Sequence, residues 1–164
     1  MKLYMKQKVF SWRDKFSIFD EGGAERYYAE GEIFTWGHKL RLFDNTGREA
    51  AFIKQKLLTF LPRYIIEIGG EEFTLVKEFT FFKQCFHIEN CGWTIEGDFW
   101  AHEYSIKNGE EIILHISKHW FTWGDSYEFD IPDSNNVLLA LSAALAIDCI
   151  QADQSRAASS AASR

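Results

Sequence analysis

A chain of 164 residues, 46% hydrophobic and 16% aromatic, is long enough for one domain with a sizeable core. Its net charge of −6 argues against general nucleic-acid binding, which draws its affinity from neutralised phosphates. The charge is uneven: residues 1–83 carry fourteen Lys and Arg against twelve Asp and Glu, and residues 84–164 carry four against twelve, so the first half has room for a local basic patch.

From the N-terminus onward one pattern recurs six times: an aromatic, three mostly polar residues, a bulky apolar residue, a spacer and a second bulky apolar residue. The copies are Trp12-Phe16-Ile18, Trp36-Leu40-Leu42, Phe60-Tyr64-Ile66, Phe82-Phe86-Ile88, Trp100-Tyr104-Ile106 and Trp123-Tyr127-Phe129. Such self-similarity marks a repeat architecture. The residues after each aromatic read as a turn, most plainly at Pro62, since proline lacks the N–H that a strand interior needs. Aromatic and β-branched stretches such as 32–36 precede the turns, and alternating runs such as 40–43 follow them. Each repeat is therefore a β-hairpin.

A second set of turns joins the hairpins, at 20–23, 44–47, 69–70, 90–92, 107–109 and 132–133, where Asn, Asp and Gly tolerate positive φ. The series predicts a mainly β fold of about twelve antiparallel strands with no crossover helix. Closure into a barrel removes exposed edges, with a two-sheet sandwich as the alternative.

Past the last hairpin, residues 137–150 read VLLALSAALAIDCI, interrupted only by Ser142 and Asp148. Leu and Ala favour a helix, and Asp133 to Asn136 supply N-caps, so a helix is expected over about 135–151. At about 14 apolar residues the run falls short of the ~20 that span a bilayer, and no transmembrane segment is expected. A helix apolar on every side must be buried. A twelve-stranded bore is wider than side chains alone fill, so the helix is expected to thread the barrel as its core. Asp148 is expected near solvent at the last turn. The domain thus covers 1–153, and the Ala/Ser-rich 154–164 reads as a disordered tail.

Met1-Lys2-Leu3 is charged and strand-like, unlike a secretory leader. Three cysteines, Cys85, Cys91 and Cys149, fit free thiols in a reducing cytoplasm.

Candidate sites are few. Lys6-Gln7-Lys8 and Lys54-Gln55-Lys56 occupy equivalent places in repeats one and three, and alternation puts both lysines of a pair on one face. With Gln7 and Gln55 inward, the four lysines would form an outer basic patch, joined by Arg41 and Arg63. Solvated strand lysines that blunt aggregation are the plainer explanation, and Glu30 and Glu32 would neutralise part of the patch. Among the histidines, His115 and His119 are too far apart along one strand to share a metal, and no cysteine pair has zinc-like spacing. His102-Glu103 with Asp98 or Asp125 is a weak acid–base set, without a nucleophile motif or glycine-rich phosphate loop. Trp12, Trp36 and Trp123 beside turns read first as caps on a barrel end and second as residues inserting into a membrane interface.

Residues 5–11 (MKQKVFS), 56–64 (KLLTFLPRY), 76–79 (VKEF) and 95–100 (IEGDFW), set in a twelve-strand order with an apolar C-terminal helix, resemble the LURP-one-related family from about Lys2 to Asp153. The resemblance implies a fold similar to the tubby C-terminal domain and the phospholipid scramblases, a closed barrel around a hydrophobic helix. Tubby domains bind phosphoinositides through surface cations. The palmitoylated cysteine run and Ca²⁺-binding segment of scramblases are missing, so scramblase activity does not carry over.

Together these observations lead to a non-catalytic, cofactor-free cytoplasmic barrel, peripheral to the membrane, that binds an anionic lipid headgroup or phosphorylated ligand on its outer surface through Lys6, Lys8, Lys54, Lys56, Arg41 and Arg63. A protein-interaction or structural module with an unknown protein partner is the alternative, and an enzyme is third.

Overall fold

The computed structural model describes residues 1–6, 15–32, 36–80, 83–121 and 124–162. Its twelve strands are β1 (Lys2–Lys6), β2 (Lys15–Asp20), β3 (Glu25–Gly31), β4 (Lys39–Asp44), β5 (Glu49–Gln55), β6 (Arg63–Ile68), β7 (Glu71–Lys77), β8 (Cys85–Glu89), β9 (Trp93–Asp98), β10 (Glu103–Asn108), β11 (Glu111–Phe121) and β12 (Gly124–Asp130). Each pairs antiparallel with its chain neighbours, and β1 closes on β12 through a ladder from Lys2↔Asp130 to Lys6↔Ser126. The sheet is a closed barrel, not a sandwich.

The repeat explains the wall. Its first apolar positions, Phe16, Leu40, Tyr64, Phe86, Tyr104 and Tyr127, are all buried. So are its second, Ile18, Leu42, Ile66, Ile88, Ile106 and Phe129. A spacing of two puts both on the inward face. In three hairpins the register slips just after the second position, at Ile18/Phe19, Leu42/Phe43 and Ile106/Lys107. Such bulges add the twist and curvature that closure requires. At Gly97, opposite Tyr104, the strands approach so closely that a Cβ would lie 2.4 Å from the Glu103 carbonyl oxygen.

The up-and-down order gives the barrel two ends. The odd-numbered strands end, and the even-numbered ones begin, at one rim, called the mouth. The even-to-odd turns form the base. At the base, Asp44 accepts hydrogen bonds from the Thr46 hydroxyl and the N–H groups of Thr46 and Arg48, which hold its carboxyl down at about 2.

From the base, a 3₁₀ turn (Ser134–Asn136) capped by Asp133 leads into helix α1 (Val137–Ala162). The helix buries Val137 and Leu139 through Gln151, on every side, in one cluster with the inward strand residues. It therefore runs inside the barrel from base to mouth. The stretch Ser134–Ala162 is long and apolar enough to cross a membrane, but 67% of its most apolar window is buried within the fold.

Two expectations about the helix change. It does not end near 151: residues 154–162, expected as a disordered tail, extend it, exposed from Ser155 onward. Once a helix is nucleated each further residue adds cheaply, and alanine is the best helix former. Asp148 is consequently not at a last turn near solvent. It is buried, and desolvation raises its pKa, an effect partly offset by the His102 ring 3.7 Å away.

The mouth turns grip the emerging helix. The His38 ring meets the Asp153 carboxylate at 2.8 Å. Gln84 meets Gln151 at 3.2 Å and Gln154 at 3.4 Å. His102, 3.3 Å from the Tyr127 hydroxyl, meets Asp148. His38, Gln84 and His102 are the middle turn residues of three repeats, so equivalent positions perform equivalent docking.

Candidate ligand-binding surface

Along β4, β5 and β6 the residues between the buried ones point outward. This alternation brings Arg41, Lys54 and Arg63 to the outer wall of three adjacent strands, with Lys56 just past the end of β5. Lys56 N–H donates to the Arg63 carbonyl at 2.9 Å, so the two residues sit side by side at the mouth edge. Lys39, which the sequence did not single out, lies directly opposite Lys54. Like charges paired across strands cost stability, and the arrangement concentrates positive charge below the β3–β4 and β5–β6 turns.

Lys6 of the first repeat is not part of this cluster. Lys6 ends β1, which β2, β3 and β4 separate from β5, and Lys8 lies outside the described residues. Equivalence in the repeat does not make residues neighbours, so Lys6 does not join Lys54 and Lys56 in the expected four-lysine patch.

Carboxylates temper the cluster. Arg41 donates to Glu32 at 2.8 Å and Glu49 at 2.6 Å, and these two bonds, Glu49 first, raise its pKa. Glu32 was the expected neutraliser. Its companion Glu30 lies directly across from Arg41 on β4 and from Lys15 on β2. Lys54 pairs with Glu67, and Arg63 has Glu89 at 3.8 Å. The Arg41 guanidinium also stacks over Phe52 at 4.3 Å. Lys56 is exposed and has no carboxylate partner among the described residues.

Above the cations the turns are apolar. Trp36, Leu58 and Phe60 are 90%, 106% and 93% exposed, and Leu57 is exposed beside them. The two turns touch: a Cβ on Gly37 would meet the Leu57 side chain at 2.8 Å, and His38 N–H donates to Gln55 Oε1 at 3.1 Å. Phe79 and Trp100, also exposed, continue the apolar rim along the next two mouth turns. Trp36 therefore does not cap the barrel end. Trp12 and Trp123 lie outside the described residues.

A groove of about 1050 Å³ opens on the outer wall of β8–β10, lined by Lys77, Lys83 and Lys107 and by Glu78, Glu96 and Asp98. Cys85 also lines it, with its thiol pKa raised by burial and then by Glu96 and Glu78. His102 and Glu103 start β10, but His102 is engaged with Asp148 inside the barrel. It therefore does not join Glu103 and Asp98 in an acid–base set, and the side chain of Asp125 is not described. Among the described residues no three His, Cys, Asp or Glu side chains converge on a metal-sized site.

The LURP-one-related family model matches residues 1–148. An uncharacterised Bacillus subtilis protein, YxjI, is 39% identical over 151 residues, which is 92% of this chain and 93% of that one. The X-ray structure of an Arabidopsis thaliana protein superposes with a TM-score of 0.58 over 93% of this chain and 90% of its own, at 16% identity, a likeness of fold. With a matching family model over nearly its whole length and a full-length relative at this identity, the chain belongs to the LURP-one-related family.

Proposed function

We propose that this protein is a non-catalytic binding barrel that holds an anionic group, a lipid headgroup or a phosphorylated molecule, on its outer wall at the mouth. The observation that carries the reading is the juxtaposition of Lys39, Lys54, Lys56 and Arg63 on three adjacent strands in a chain of net charge −6. Their carboxylate partners do not oppose it. Exposed ion pairs contribute only ~0–1 kcal/mol, so a doubly charged phosphate displaces them at little cost. The helix fills the bore where a barrel enzyme or carrier would keep its pocket, which supports an outer-surface site and a role without chemistry.

Calorimetric titration with a soluble inositol polyphosphate at low and high salt tests this. Binding that weakens with salt and is lost in a K54Q/K56Q/R63Q variant of unchanged melting temperature is expected. Equal binding by the variant would refute the assignment. The alternative, a protein-interaction module, draws on the mixed-charge groove over β8–β10, whose alternating lysines and carboxylates suit a polar peptide segment.

A further inference from the structure

We infer that the mouth of the barrel docks onto an anionic lipid bilayer, with Trp36, Leu58 and Phe60 entering the interface and the cations of β4–β6 meeting the headgroups. The inference rests on the anion-binding reading for its charged part. Its apolar part stands on separate observations.

The exposed large apolar side chains are not scattered. Apart from Met1 and Ile112, the described ones, Trp36, Leu57, Leu58, Phe60, Phe79 and Trp100, all lie on mouth turns. Contiguous apolar surface on a soluble fold marks an interaction site. Leu58 adds a second sign. Its φ is +59°, a left-handed conformation unfavourable for any residue with a Cβ, yet its side chain packs against nothing that would offset the strain. A leucine held outward under strain has a reason outside the fold.

The charge distribution selects the partner. Every base connection carries carboxylates, among them Asp20, Asp44, Glu71, Glu89, Glu110 and Asp133. Immediately below the apolar mouth turns lie Lys39, Lys54, Lys56 and Arg63. A protein polarised in this way approaches a negative surface mouth first. Apolar tips over a basic collar are the arrangement that amphipathic membrane-surface elements use: rings and aliphatic chains sit at the headgroup level while lysines reach the phosphates. A soluble phosphorylated molecule would use the cations and leave the tips idle. A bilayer uses both.

The experiment is co-sedimentation of the full chain with phosphatidylcholine vesicles with and without phosphatidylserine, run beside the inositol polyphosphate titration. Wild type should bind the anionic vesicles. The W36S/L58S/F60S variant should lose on the order of a thousandfold in partitioning, because each of the three buried anchors contributes roughly tenfold, while still binding the soluble polyphosphate. If the triple change disturbs folding, Leu58→Gly, which suits the positive φ, should keep the fold and lose roughly tenfold. Loss of polyphosphate binding in wild type alongside retained vesicle binding would refute the anion site and leave the apolar docking standing. Vesicle binding unchanged by both rim variants, or absent in wild type at low salt while the polyphosphate binds, overturns the bilayer inference and leaves a soluble ligand.

Discussion

Replacing Leu141 by alanine tests the central helix most simply. Leu141 is 0% exposed, near the middle of the buried part of α1, with the barrel wall around it. Buried Leu→Ala changes cost about 2–5 kcal/mol, rising with the cavity left behind. A wall hydrogen-bonded around its full circumference cannot easily collapse inward, so the upper part of that range, about 3–5 kcal/mol, applies. Alanine is the better helix former, so lost helicity cannot account for the effect. Total stabilities run about 5–15 kcal/mol, and each kcal/mol lowers the melting temperature by about 2–4 °C at this size. The expected drop is thus about 6–20 °C in a thermal melt. Urea unfolding should show a lower midpoint with an unchanged slope. Ala158→Gly, on the exposed last turns of α1, is the control and should barely register. A Leu141→Ala melt within a degree or two of that control would refute a helix enclosed by the barrel.

Gly97→Ala should destabilise by several kcal/mol, because the new methyl would press on the Glu103 and Tyr104 backbone and φ is +146°; chemical denaturation reads this directly. Asp148→Asn should stabilise the protein at neutral pH. Burial raises the folded pKa of Asp148, so folding with the wild-type residue is least costly below its unfolded value of 3.8 and loses ground as pH rises through the folded value. The gain from Asn should therefore fade as melts are repeated toward pH 4 and below; a constant gain across pH would contradict it. Cys149, whose thiol pKa burial pushes up, should resist alkylation in the native protein and react in urea, as peptide mass spectrometry would show. Removing residues 155–164 should leave the melting temperature unchanged, since the described part of that segment is exposed.

Much of the wall was legible because the repeat carries its own geometry. An aromatic at the turn followed by two inward residues fixes the strand, the facing and the hairpin, and six such copies allow few arrangements other than a barrel. The helix was legible because an element without a polar face has only one kind of place to go. What the sequence could not show is long-range. Lys6 and Lys54 share a repeat position, but only the closed strand order shows that three strands part them. Glu67 pairs with Lys54 from the neighbouring strand, and Glu89 reaches Arg63 from two strands away, which no local pattern encodes. His38 and His102 read as ordinary turn residues until the helix arrives beside them with Asp153 and Asp148. The end of α1 was missed because alanine and serine without an apolar stripe resemble a linker, although the helix they extend was already nucleated.

Hydrogen–deuterium exchange of the full chain with and without phosphatidylserine vesicles tests the central functional claim most directly, because it reports which end of the barrel meets the surface. Protection should appear in the mouth segment 56–61 and around Trp36, while the base turns at 44–47 and 69–71 exchange as they do in free solution. Protection at the base turns instead, or none at either end under conditions where the protein sediments with the vesicles, would contradict docking through the mouth.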